Sequence, residues 1–219
     1  MNSKRMRLAA AAVLAALMLC CLSGCVEIGE RKPIATILFS NGGEVRVRLY
    51  PEKAPNTVNN FIKLANDGFY DGSPVHRIVE YVMVQMGRPA DSEETDAGYY
   101  IKGEFSANKF SKNNLTIDEG VLGMARLSAD ENEDARFFDT ASSQFFIMLE
   151  PKATMDGYYA TFGKVITGMN VITAISKMDV DESDYPRDEI SIVSIRVDCY
   201  DYKPADPKTI DKDKLKLYE

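Results

Sequence analysis

An arginine at position 77 stands inside an apolar, strand-like run, Val75-His76-Arg77-Ile78, and Val82-Met83-Val84-Gln85 follows it closely. A second run, Ser143-Gln144-Phe145-Phe146-Ile147, supplies another glutamine and two phenylalanines. A guanidinium is costly to bury without partners and offers only donors. A lone arginine in such a run therefore asks for a purpose. A cleft with one arginine, glutamines and apolar walls suits a neutral, partly apolar peptide that needs one positive hydrogen-bond donor. Such a site can bind and twist a peptide bond and has no obvious equipment for breaking one. His76 is the only histidine in the chain, so a two-histidine metal site of the His-x-x-x-His kind is excluded. No metal or cofactor is expected.

These side chains need rigid elements to hold them. Ile34–Phe39 and Glu44–Tyr50 read as strands joined across Asn41-Gly42, a strong hairpin signal. In the second strand Val45, Val47 and Leu49 alternate with Glu44, Arg46 and Arg48, which gives one buried and one wet face. Pro55 to Asn66 reads as a helix, with Val58, Phe61, Ile62 and Ala65 on one face. Asn56 or Thr57 is the expected cap, and Asp67-Gly68 the stop. Strands follow near Tyr81–Gln85, Gly120–Ala125, Ser143–Leu149, Phe162–Ile166 and Ile190–Val197. Asn170–Lys177 supplies a second helix. Arg88 to Leu115 reads as one long loop, Ser128 to Ala141 as an acidic loop, and Lys203 to Glu219 as a mobile or surface-draped tail. Many short strands and two good helices predict a mostly β fold, a closed antiparallel barrel with a helix at each end.

The N-terminus has a different character. Lys4, Arg5 and Arg7 precede an uncharged apolar run from Leu8 to Cys21, and Leu22-Ser23-Gly24-Cys25 follows. A basic start, an apolar run of about 7–15 residues and small residues at the cut describe a secretory signal. The ending resembles a bacterial lipobox, which implies cleavage before Cys25 and a lipid on its sulfur. Residues 1–24 are thus expected to leave, with 25–33 as lipidated cysteine and tether, 34–200 as the folded domain and 201–219 as the tail. Of the four cysteines only Cys199 would then remain unmodified, too few for a disulfide framework. Removal of three basic residues takes the formal net charge from −7 to −10. An acidic surface argues against nucleic acid and against polybasic attachment to lipid, which leaves the covalent anchor. The expected location is extracytoplasmic, on the cell membrane.

With these elements laid out, the chain from Ile34 to Val197 resembles the cyclophilins, the peptidyl-prolyl cis–trans isomerases. The resemblance rests on segments in family order: Pro55–Phe61, Phe69–Gly72, Val75–Ile78, Met83–Gln85, Gly123–Arg126, Ser143–Ile147, Met155–Gly157 and Phe162–Val165. It implies an eight-stranded antiparallel barrel capped by two α-helices. It implies that Arg77 is the catalytic guanidinium and that Gln85 fixes it and binds substrate backbone. Met83, Phe146 and Met155 would form the socket for the proline ring. Ala125 and Arg126 would line the neighbouring channel beside Gln144, and Tyr159 would stand at the pocket edge. His76 and Val82 would also contact the substrate, with His76 a packed neighbour of the site rather than its catalyst. The expected partners are proline-containing peptides and unfolded secreted proteins, bound by a monomer.

Some positions depart from the family pattern. Val82 stands where a Phe commonly packs on the proline, and Met86-Gly87-Arg88 replaces Gly-Gly-Asp. Glu80-Tyr81 replaces Pro-Gly, and Thr154 stands where some members carry a Trp important for cyclosporin. Weak cyclosporin binding and lowered or altered turnover are therefore expected. Two function classes follow: an extracytoplasmic prolyl isomerase, or a weakly catalytic peptide-binding module on the same fold.

Overall fold

The computed structural model describes residues 31–90, 94–128, 134–215 and 217. The signal segment, Cys25 and most of the tether lie outside the described residues, as do Asp130, Glu131 and Glu133 of the acidic loop.

Eight strands form one sheet: β1 (Ile34–Phe39), β2 (Glu44–Leu49), β3 (Val75–Val79), β4 (Met83–Met86), β6 (Val121–Met124), β7 (Phe145–Met148), β8 (Thr161–Thr167) and β9 (Ile192–Asp198). Their order across the sheet is β3-β4-β7-β6-β8-β2-β1-β9, and every pairing is antiparallel. β5 (Tyr100–Ile101) pairs separately with β10 (Thr209–Ile210). Ala35, Ile37 and Phe39 of β1 and Val45, Val47 and Leu49 of β2 alternate into the core, as period-2 patterning requires. Gly42, at φ +80°, makes the β1–β2 turn possible.

The barrel expected to be closed is instead an open half-barrel. β3 and β9 are its edges. They are stitched at one end only, by a bridge between Pro74 and Ser191 and by the Val75 amide donating to the Ile190 carbonyl. Pro74 has no N–H for a ladder. Further along β3, the Ile78 amide donates instead to the carbonyl of Asp184, in the loop before β9. That loop takes the place a closing strand would occupy and covers the edge.

Helix α1 (Pro55–Asn66) fills the concave side. Phe61 lies 5.2–5.5 Å, centroid to centroid, from Tyr70, Phe145 and Phe162. The helix is not capped by Asn56 or Thr57. Its N-cap is Ala54, without a side-chain bond. The buried Glu104 carboxylate accepts from the Asn56 and Thr57 amides and the Thr57 hydroxyl instead. A carboxylate there satisfies orphan amides and complements the helix dipole. Helix α2 (Met169–Ile175) buries Ile172 and Ile175 and lies against β2.

The long polar loop contains β5, and the described residues of the tail pack back onto the domain. The Tyr202 hydroxyl donates to Asn59, Lys208 and Asn56 exchange two bonds, Lys212 pairs with Asp96, and Leu217 is buried with Tyr100 and Phe137.

Candidate active site

The strands β4 and β7 decide what faces where. Phe145, paired with Met86, points into the core and is wholly buried. Phe146, paired with Gln85, points to the other face. There it forms a separate apolar cluster with Met83, Ile117 and Met148, flanked by Val79, Val82, Ala125, Met155 and Tyr159. The Phe146 and Tyr159 rings meet edge to face at 5.5 Å, a favoured aromatic geometry. This cluster floors a cleft of about 300 Å³ that His76, Arg77, Met83, Gln85, Ala125, Arg126, Phe146, Met155 and Tyr159 all line. Gln144 lines an adjoining cavity of about 80 Å³, which shares Gln85, Ala125 and Arg126 with the cleft. Val82 lines neither and packs partly buried beneath.

Beneath the cleft floor, one position carries no side chain, and the family segment Gly123–Arg126 gave no sign of why. A Cβ on Gly123 would sit 2.2 Å from the Phe146 ring. The tip of the ring can approach β6 because position 123 is bare.

The polar wall differs from expectation in its partners. Arg77 and Gln85 face each other in the β3–β4 register, yet their side chains bond elsewhere. Arg77 Nε donates to Asp184 Oδ2 at 3.1 Å, and the Arg77 side chain is 46% exposed. The burial cost inferred from the sequence is therefore not incurred. Asp184, 107 residues away, is the orienting partner. Its backbone stands at φ +62° while its carbonyl binds Ile78. Gln85 Nε2 donates to Gln144 Oε1 at 2.9 Å, and Gln144 Nε2 donates to the Thr95 carbonyl at 2.7 Å. His76 Nε2 lies 3.0 Å from the same Gln144 oxygen. That oxygen has no proton to give, so the imidazole proton sits on Nε2. Arg126 is held by its Nε bond to the Tyr158 carbonyl and lies over Tyr159, Phe138 and Phe105 at 4.8–5.7 Å. It rims the cleft as a stacked cation.

The cyclophilin-type peptidyl-prolyl cis-trans isomerase/CLD family model matches residues 34–197, the span that holds both helices, every cleft residue and all of the sheet but Asp198. The chain belongs to the cyclophilin-type peptidyl-prolyl cis–trans isomerases. Peptidyl-prolyl cis-trans isomerase B of Bacillus subtilis (strain 168) is 38% identical over 143 residues, 65% of this chain and 90% of the relative. Arabidopsis thaliana peptidyl-prolyl cis-trans isomerase CYP18-2 is 32% identical over 168 residues, 77% of this chain and 96% of the relative. The crystal structure of a Cryptosporidium parvum cyclophilin type isomerase, in the presence of the dipeptide Ala-Pro, superposes with a TM-score of 0.62. It is 25% identical and covers 75% of this chain and 98% of that one.

The electrostatics of this cyclophilin's cleft are set by burial and by arginines. Burial, then the charge of Arg88, pushes His76 down to about 4, against the opposing bond to Gln144. His76 is therefore neutral at physiological pH and contributes a fixed donor rather than a proton shuttle. Among the described residues no cluster of three or more His, Cys, Asp or Glu side chains could hold a metal ion.

Proposed function

We propose that this isomerase uses Arg77 to stabilise a twisted Xaa-Pro amide, and that it does so outside the cytoplasm from a lipid anchor at Cys25. The observation that carries the first part is the opposition, within one cleft, of the exposed Arg77 guanidinium and the Phe146–Met155–Met83 floor. Resonance gives the amide a rotation barrier of about 18–20 kcal/mol. As the C–N bond twists, its nitrogen becomes pyramidal and gains a usable lone pair, and charge localises on the carbonyl oxygen. A donor fixed at that place binds the twisted state more strongly than either planar state.

Asp184 occupies Nε, which leaves the two terminal nitrogens of Arg77 to face the substrate. The apolar floor holds the proline ring while the preceding residue swings. Gln85 donates to Gln144, which leaves its own carbonyl oxygen to accept a substrate backbone N–H. The Ala-Pro dipeptide named with the Cryptosporidium relative supports proline-containing peptides as ligands here. No nucleophile or cofactor enters this scheme.

The second part rests on Lys4, Arg5, Arg7, the apolar run and Leu22-Ser23-Gly24-Cys25. On this reading residues 1–24 are removed, 25–33 tether the domain, and the clients are unfolded secreted proteins near the membrane, met by a monomer. Exchange NMR on an Xaa-Pro peptide tests the activity. Acceleration of cis–trans exchange is expected, and exchange at the uncatalysed rate overturns it. Fractionation of cells fed labelled fatty acid tests the anchor. Label on wild-type protein in the membrane fraction is expected, with label and membrane association both lost in Cys25→Ser. Persistent labelling of that variant would refute Cys25 as the lipid site.

A further inference from the structure

Arg88 follows β4 directly, after Gly87, and lines the same cleft as His76, Arg77 and Gln85. It is half-buried, and its Nε is fully buried without a hydrogen-bond partner. Among the described residues its side chain makes neither an ion pair nor a hydrogen bond. The side chains of Arg46 and Arg48 in β2 also lack bonded partners among the described residues, but of the described arginines Arg88 alone buries an unpartnered guanidinium nitrogen, and others are engaged. Arg77 has Asp184, Arg196 has Asp71, and Arg136 has Asp134. Arg126 has carbonyls and aromatic faces. A partly desolvated guanidinium without partners is costly, and it sits in a chain whose formal charge is −7. Nothing in the composition requires a positive group at this place. Its charge is felt inside the cleft, since it is the second cause holding His76 in the neutral form.

We propose that Arg88 is a specificity-determining residue that receives a carboxylate side chain flanking the proline of the bound peptide, so that the cleft prefers acidic Xaa-Pro contexts. This rests on the isomerase reading of the cleft. A carboxylate is the complement of choice, because the guanidinium fork can bond both oxygens. The neighbouring His76 and Gln85 are neutral and cannot neutralise Arg88, and the Asp184 carboxylate is already engaged by Arg77.

The test uses the full chain and paired peptides with Glu or its isostere Gln at each position flanking the proline. Both catalysed exchange and binding, the latter by chemical-shift titration, are measured at low and high salt. At one flanking position the Glu peptide should exceed its Gln partner about fivefold in kcat/KM and in affinity at low salt, with part of that gain screened at high salt. The ratio, not either rate, is the readout. It should fall to near one in Arg88→Gln and be kept in part in Arg88→Lys. Ratios within twofold of one at every position, or a fivefold ratio that survives Arg88→Gln, overturn the proposal. If no peptide is isomerised, the isomerase reading fails, while the binding ratios still decide the role of Arg88.

Discussion

The two faces of the β4–β7 pair are built from adjacent residues and obey different rules. The inner face, with Val84, Met86, Phe145 and Ile147, belongs to one continuous core and is fully buried. The outer face, with Met83, Gln85 and Phe146, belongs to a small cluster that ends at an open cleft. One residue of register separates a stabilising side chain from a functional one. The inner face is specified by packing alone. The outer face is specified by bonds to loops: Gln85 through Gln144 to Thr95, and Arg77 to Asp184.

The sharpest way to break this contrast is to truncate the two phenylalanines. Phe145→Ala should lower stability by about 3–5 kcal/mol, the range for a fully enclosed aromatic. Phe146→Ala should cost about half as much, since the cleft lets solvent or neighbours fill the space, yet it should abolish measurable peptide binding. Urea unfolding and a peptide titration on both variants read the difference. Equal stability losses with binding intact in Phe146→Ala would erase the distinction.

Acid should act on the boundary between the faces. His76 is 6.5 when unfolded and about 4 when folded. A depressed folded value means that the unfolded chain binds the extra proton. The neutral histidine's contribution is therefore complete above pH 6.5 and is lost as pH falls through 4. The loss amounts to at most about 3 kcal/mol. His76→Gln should flatten the stability profile between pH 6.5 and 4, and an unchanged slope would show that other groups carry it.

Gly123→Ala comes next. Its methyl group must displace the Phe146 ring, which costs about 1–3 kcal/mol of overpacking and about a tenfold loss of kcat/KM. Wild-type turnover in that variant would show that the ring position is unimportant. Asp184→Asn should have the smallest effect on stability, below about 1 kcal/mol for so exposed a pair, with a two- to fivefold loss of kcat/KM as Arg77 loses its orientation. A fall in kcat with little change in peptide affinity would identify positioning, and an increase in turnover would instead mark Asp184 as a competitor for the guanidinium.

What could be read in the sequence follows the same division. Alternation in β2 and the spacing of Val58, Phe61, Ile62 and Ala65 declared the core, because burial imposes a period. The segments that line the cleft were legible as a family pattern. Asp184 was not, because one aspartate in an acidic turn carries no mark of the strand it will meet 107 residues away. Glu104 as the cap of α1, and the contact of Gly123 with the Phe146 ring, were hidden for the same reason. The expectation of closure failed beyond Val75, where the Asp184 loop takes the place of β9 along β3. In each case a contact between distant segments overrode a sound local reading.

The central claim is that Arg77 accelerates rotation rather than merely holding peptide. The most direct measurement is cis–trans exchange of one Xaa-Pro peptide by NMR, with binding read in the same titration, for wild type and Arg77→Ala. The account predicts a loss of about 10²–10³ in catalysed exchange, the usual effect of removing one preorganised donor, with peptide affinity changed by less than about threefold, since the apolar floor remains. Unchanged exchange in Arg77→Ala would contradict it.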